Sequence, residues 1–239
     1  MLGGDGDASF DIGLFDMDGM TDASDRFVNF EHFEKRGSST WTLTGTTTDS
    51  FANDIRVEEG ILNIAGNLSG IDIVVSRSTL TGTGTTGAID FSRGTLAPGN
   101  SIGTLTTGAL ALDAASVFEV EVDDQGNSDR VIVNGTISLG GSTLSVLDME
   151  GGSFTGSDPF NYLIMDNDAA DAVTGSFGTI TNQLAFLTPT VDYASGDGND
   201  VALTLTPNNV VADNACTPAA ADGVDSVCIG TISNQNDPD

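Results

Sequence analysis

The chain has 239 residues, with 35 acidic against 7 basic side chains and a formal net charge of -28. That length suffices for one domain with a sizeable core or for one elongated repeat structure. So acidic a surface repels phosphate backbones and anionic headgroups, which argues against nucleic-acid binding and against membrane binding through basic patches. With 30 Gly, 28 Thr and 38% hydrophobic residues, the chain can bury apolar surface and is rich in turn and strand formers. One histidine, His32, and two cysteines, Cys216 and Cys228, leave most His-based acid/base, Cys-nucleophile and zinc chemistries without their usual parts. Beyond Arg130 the only charged side chains are carboxylates. No stretch approaches the roughly 18–20 continuous apolar residues that span a bilayer as a helix. The first 19 residues have neither a basic n-region nor an apolar h-region and do not read as a secretory signal. They suit a cytosolic protein or an internal piece of a longer one.

Residues 1–26 are dominated by Gly and Asp and read as an irregular lead-in. The texture changes at Phe27: Trp41-Thr-Leu-Thr-Gly45 is a short strand pattern ending in a turn residue, and similar units follow. Their frame is a small residue, any residue, then an aliphatic. It occurs as Gly60-Ile-Leu62, Ser78-Thr-Leu80, Gly94-Thr-Leu96 and Gly108-Ala-Leu110, at spacings of 18, 16 and 14 residues, then less regularly as Gly135-Thr-Ile137 and Ser142-Thr-Leu144. Such a loose period of short strands suits stacked β-coils, each pairing with the coils about 4.8 Å above and below it. A single coil cannot bury its own apolar face, so the stack needs neighbours and capped ends. An antiparallel sandwich with hairpins every 8–12 or so residues competes with this reading. Between Phe118 and Tyr193 lie seven aromatics, against two between Thr42 and Val117, so the second part should hold the heavier core. The tail from Pro207 to Asp239, rich in Ala, Asn and Asp, reads as linker.

Several strings bear on chemistry. Gly99-Asn-Ser101-Ile-Gly103 fits the Gly-x-Ser-x-Gly pattern of hydrolases, but no helix pattern follows and His32 precedes the serine, so a turn between coils is expected. The acidic groups Asp123 and Asp124, or Asp166, Asp168 and Asp171, could pair as general acid and base; among 35 acids, close pairs arise by chance. Asp16-Met-Asp-Gly19 is half of an EF-hand loop whose closing Glu position holds Phe27, and Ser195-Gly-Asp-Gly-Asn-Asp-Val-Ala-Leu203 is one copy of a calcium repeat that works only when stacked. Thr44-Gly-Thr-Thr-Thr48 and the run from Thr79 to Thr86 could face sugar or ice, though their spacing drifts. Cys216 and Cys228 would close a short disulfide loop of about 3 kcal/mol in the chain-entropy model, or stay free thiols.

The strings Phe30-Glu-His-Phe-Glu-Lys-Arg-Gly-Ser-Ser-Thr-Trp-Thr-Leu-Thr-Gly45, Gly94-Thr-Leu-Ala-Pro-Gly-Asn-Ser-Ile-Gly-Thr-Leu105, Val120-Glu-Val-Asp123 with Ser128-Asp-Arg-Val-Ile-Val-Asn-Gly-Thr136, Phe160-Asn-Tyr-Leu-Ile164, Gly175-Ser-Phe177, Leu184-Ala-Phe-Leu-Thr-Pro189 and Asp200-Val-Ala-Leu-Thr-Leu205 resemble, in order, the C-terminal part of Gram-negative autotransporter passengers. The resemblance covers residues 27–205. It implies an all-β chain: a right-handed parallel β-helix (β-solenoid) with a C-terminal β cap of autochaperone type. It also implies export through an outer-membrane translocator barrel that this chain does not contain. Serine-protease members of the family carry a trypsin-like domain, and no string here resembles its serine motif.

The organisation expected is a Gly/Asp-rich lead-in (1–26), β-helix coils (27–117), C-terminal coils with the autochaperone-like cap (118–206) and a flexible tail with Cys216 and Cys228 (207–239). The function expected is a non-enzymatic passenger stem, at the cell surface or secreted, that folds outside the cell and serves adhesion to a surface or host glycan or protein. No catalytic, cofactor or metal residues are assigned. A β-helix polysaccharide-cleaving enzyme and a carbohydrate- or ice-binding module are the alternatives.

Overall fold

The computed structural model describes residues 3–14, 33–47, 54–149, 154, 158–167 and 171–208. Short strands separated by turns wind into successive coils. A first strand, β1 (Ala8–Asp11), stands on the coil of β2 (Phe33–Lys35) and β3 (Thr40–Thr44). The next coils are β4 (Ile55–Val57), β5 (Ile61–Ile64), β6 (Asn67–Leu68); β7 (Ile73–Ser76), β8 (Thr79–Gly82), β9 (Thr85–Thr86); and β10 (Ile89–Ser92), β11 (Thr95–Pro98), β12 (Thr104–Thr107). Then come β13 (Leu110–Ala111), β14 (Val117–Val122), β15 (Arg130–Val133) and β16 (Ile137–Ser138), β17 (Thr143–Asp148), β18 (Phe160–Asn167). The chain closes with β19 (Thr179–Asn182) and the hairpin of β20 (Leu187–Ser195) and β21 (Asp200–Pro207).

Corresponding strands of each coil pair in parallel, giving sheets of eight strands (β1-β3-β5-β8-β11-β14-β17-β19), six (β16-β13-β10-β7-β4-β2) and seven (β20-β21-β18-β15-β12-β9-β6). The fold is a parallel β-helix, as expected. Eight strands at the usual 4.7–4.9 Å spacing make a rod of roughly 34 Å. Growth stops where β21 pairs antiparallel with β18 and β20 antiparallel with β21. The outermost strand β20 carries Pro189, a residue that sheets tolerate at edges.

The core is a set of inward columns, because alternate residues of a strand face one side. Leu62, Leu80, Leu96, Phe118 and Leu144 lie over one another in the eight-stranded sheet, all fully buried. Ile55, Ile73, Ile89, Leu110 and Ile137 form the matching column of the six-stranded sheet. The small-x-aliphatic frame therefore covers two different columns. Gly60, Ser78, Gly94 and Ser142 each precede a strand of the eight-stranded sheet, whereas Gly108 and Gly135 turn the chain into the six-stranded one. At that corner the coils come so close that a Cβ on Gly108 would lie 3.1 Å from the Ala88 nitrogen. The period drifts because the corners lengthen after β11 while the strands stay in register.

The lead-in contributes more than an irregular segment: Ala8–Asp11 pairs with Trp41–Thr44 residue for residue. Near this end the fully buried Lys35, in register with Val57, donates from Nζ to the carbonyls of Arg36 (3.1 Å), Gly37 (2.6 Å) and Glu59 (3.0 Å). Burial pushes its pKa below the usual lysine value against the opposing pull of Glu59 and Asp7. At the other end Phe177 stacks on Phe118, ring centroids 6.2 Å apart, and packs against Tyr193 at 6.0 Å. The Phe177 N–H donates to the Tyr193 hydroxyl at 3.1 Å.

Candidate functional site

The site begins with a break in the eight-stranded sheet. β11 pairs with β14 only through Thr95 and Leu96, while β17 follows β14 along all six of its residues. Pro98 ends β11, and at Gly99 (φ 87) the chain turns back through the 99–103 loop, with Gly82 and Gly99 exchanging backbone hydrogen bonds of 3.1 and 2.8 Å. The left-handed φ suits glycine. A Cβ there would also meet the Ser101 carbonyl oxygen.

The divergence leaves the far half of β14 without a strand neighbour on that side, and Asp129 fills the gap. Its Oδ2 accepts the Glu121 N–H at 2.9 Å, its Oδ1 the Gly103 N–H at 2.8 Å, and its own N–H donates to the Glu121 carbonyl at 2.9 Å. Beside it a groove of about 260 Å³ runs between the sheet face and the 99–103 loop, walled by Ile61, Thr79, Thr81, Ala97 and Pro98 and lined by Glu119, Glu121 and Asp129. Asp129 is 2% exposed. Burial pushes its pKa up to about 7; its two backbone donors oppose the rise, and Glu121 and Glu119 add to it. Glu119 is also pushed up, by burial first and then by Glu121. The ion pairs among the described residues lie elsewhere, Arg36–Glu34 at 2.9 Å and Arg130–Asp166 at 3.6 Å. A second groove, of about 280 Å³, crosses the six-stranded sheet over Val74, Ala88 and Ala109 beside Asp54, Asp72 and Asp90.

The residues singled out from the sequence do not converge on one centre. Ser101 lies in a strand–loop–strand connection, its Oγ 3.7 Å from Met149 Sδ, so the sharp strand-to-helix turn of a hydrolase nucleophile does not form. His32, Asp168, the 16–19 string and both candidate disulfide residues, Cys216 and Cys228, lie outside the described residues. Asp123 builds a loop: it accepts from the Gln125 N–H, the Asn127 N–H and Asn127 Nδ2 at 2.7–2.9 Å. Burial raises its pKa, but these bonds outweigh burial and hold it low. Asp124 accepts from Gln125 Nε2 at 2.9 Å. The carbonyl of Asp171 accepts from Asn167 Nδ2 at 2.6 Å. The 195–203 string is the β20–β21 hairpin turn, with Gly196 and Gly198 at positive φ, and Asp200 accepts the Asn167 N–H at 2.9 Å.

The threonines do form partial outward ladders. Thr79 and Thr95 stand in one column, and Thr42, Asn63, Thr81 and Ala97 in the next. That face is not flat: Thr81 Oγ1 donates to the Gly99 carbonyl beneath the 99–103 loop, and Glu119 and Glu121 interrupt the hydroxyl array. Asp129, the most perturbed carboxylate of the site, was not singled out from sequence. Its two partners lie 26 and 8 residues away along the chain, so no local spacing marks it.

No family model matches the chain. It is 33% identical over 190 residues to an extracellular serine protease of Serratia marcescens, a match covering 75% of this chain and 17% of that protein. A second extracellular serine protease from Serratia marcescens is 28% identical over 188 residues, again 75% of this chain and 17% of the relative. The chain thus spans about one sixth of the relatives it matches. These likenesses correct the expectation of a non-enzymatic protein, since both relatives are named as serine proteases. Similarity to extracellular proteins over three quarters of the chain, together with the parallel β-helix, fits a secreted passenger region of the autotransporter type. Among the described residues no helix is long and apolar enough to cross a membrane.

Proposed function

We propose that the chain is the β-helical stem and folding cap of a secreted serine protease of the autotransporter type, exported from a Gram-negative cell through an outer-membrane translocator barrel. The observation that carries this reading is the likeness to extracellular serine proteases over 75% of the chain. The stack and its ends support the division of labour. Coils in residues 27–117 bury mainly aliphatic columns, and each depends on its neighbours for a covered face. Residues 118–206 hold the Phe118–Phe177–Tyr193 cluster and the antiparallel hairpin that ends one sheet, as a nucleating cap requires. A net charge of -28 keeps an exported, unfolded chain from associating through its strand edges.

The test is to extend the coding sequence in both directions and to assay the medium and surface of expressing cells for protein hydrolysis blocked by a serine-protease inhibitor. The reading expects a protease segment upstream and amphipathic barrel strands downstream. Deleting residues 160–207 should abolish the extracellular hydrolysis. An extended frame with neither segment, or full hydrolysis after the deletion, would overturn it.

A further inference from the structure

The 99–103 loop is fastened to the body of the helix through one carboxyl group that is itself out of water. Asp129 bridges two elements distant in sequence, Gly103 of the loop and Glu121 of β14, and is 2% exposed. Of the elements packed against it, β14 presents Glu119 and Glu121, while the loop presents the uncharged Asn100 and Ser101. On the sheet face β8 presents Thr79 and Thr81 and β11 presents Ala97 and Pro98, all without charge. Arg130, which begins β15, directs its guanidinium to Asp166 of β18 at 3.6 Å. An ionised Asp129 is therefore held in a dry place beside two further carboxylates, and a hinge stands next to it in Gly99, at φ 87.

We propose that the 99–103 loop is a proton-controlled flap over the groove, held down by Asp129 while that carboxyl is protonated and loosened when it ionises beside Glu119 and Glu121. In the closed state one carboxyl oxygen keeps its N–H bond at full strength, and no buried charge needs hydration. Loss of the proton to solvent creates a third carboxylate in the cluster, and lifting the loop gives it water. Linkage sets the direction: the state in which the group binds its proton more tightly is favoured at lower pH. The upward shift of the closed form's pKa to about 7 places the change near neutrality. The groove walled by Ile61, Thr81 and Pro98 is thereby covered in mild acid and open above neutrality.

The experiment is amide hydrogen exchange by NMR on the full chain, read as protection factors so that the intrinsic pH dependence is removed. Protection of the Gly103 and Glu121 amides should fall together, by about tenfold or more between roughly pH 5 and pH 8.5. Asp129→Asn should flatten the profile. Glu121→Gln, which removes one neighbouring charge, should move the midpoint to lower pH and reduce the fall. If Asp129→Asn does not fold, the wild-type profile and Glu121→Gln decide alone. Protection of Gly103 that stays constant across this range in the wild type, or a midpoint unmoved by Glu121→Gln, overturns the proposal.

Discussion

Asp129 Oδ2 accepts the Glu121 N–H at 2.9 Å, in the place a strand carbonyl would occupy had β11 continued past Pro98. A side chain thus completes the sheet where the backbone leaves it, and a buried carboxyl becomes part of the fold's hydrogen bonding. The consequence is a pH-dependent stability of unusual sign for an aspartate. In the folded chain the group binds its proton up to about pH 7, whereas the unfolded chain releases it near 3.8. Between these values the native state holds more protons than the unfolded one, so this contribution to stability falls as pH rises through that window and levels off above it. Urea midpoints should be higher at about pH 5 than at about pH 8. Mutual repulsion of the other carboxylates acts in the same direction, so the difference between wild type and Asp129→Asn isolates the part due to this residue. Equal pH slopes in the two proteins would refute it.

Lys35 offers a second test of buried polar chemistry. All three of its Nζ donors are taken by carbonyls, and Lys35→Met keeps the volume while leaving those carbonyls without the donor. A loss of about 1–3 kcal/mol is expected from equilibrium unfolding. An unchanged or raised stability would show that water serves the three carbonyls equally well.

Gly99 is the hinge residue, and Gly99→Ala combines a positive φ with a Cβ pressed against the Ser101 carbonyl and 3.0 Å from Asp129 Oδ1. The cost should be about 1–3 kcal/mol. Gly126, also at positive φ (89) but with nothing near its Cβ position, should tolerate the same change with a smaller loss. The pair, compared by thermal unfolding, separates steric crowding from backbone strain.

Two phenylalanines of the second half differ in what they hold. Phe118 is fully buried in the leucine column and stacks on Phe177, so Phe118→Ala should cost about 3–5 kcal/mol. Phe186 is 64% exposed, and Phe186→Ala should stay within about 0.5 kcal/mol. Similar losses at both positions would place the aromatic core elsewhere.

The columns were legible because their signal is local. Leu62, Leu80 and Leu96 each follow a small residue by two positions, and the strands between turns alternate as half-buried strands do. The same frame could not tell which sheet a copy enters, because Gly94-Thr-Leu96 and Gly108-Ala-Leu110 look alike while one begins a four-residue strand and the other a two-residue strand. The strand Ala8–Asp11 escaped notice because its Gly and Asp neighbours mask a pairing made with Trp41–Thr44, more than 30 residues on. Asp129 and Lys35 were hidden for a related reason. Strong polar residues read as surface until distant backbone groups are seen to bond them. The likeness to serine proteases depended on whole-length similarity to named proteins, which no motif in the chain supplied.

The central claim is that the coils in residues 27–117 need the aromatic, hairpin-closed second half in order to fold. The most direct measurement is far-UV circular dichroism of a chain lacking residues 118–206, beside one lacking residues 1–26. The account predicts that the first loses its β signal and cooperative unfolding while the second keeps both. A full β signal and a cooperative transition from residues 27–117 alone would contradict it.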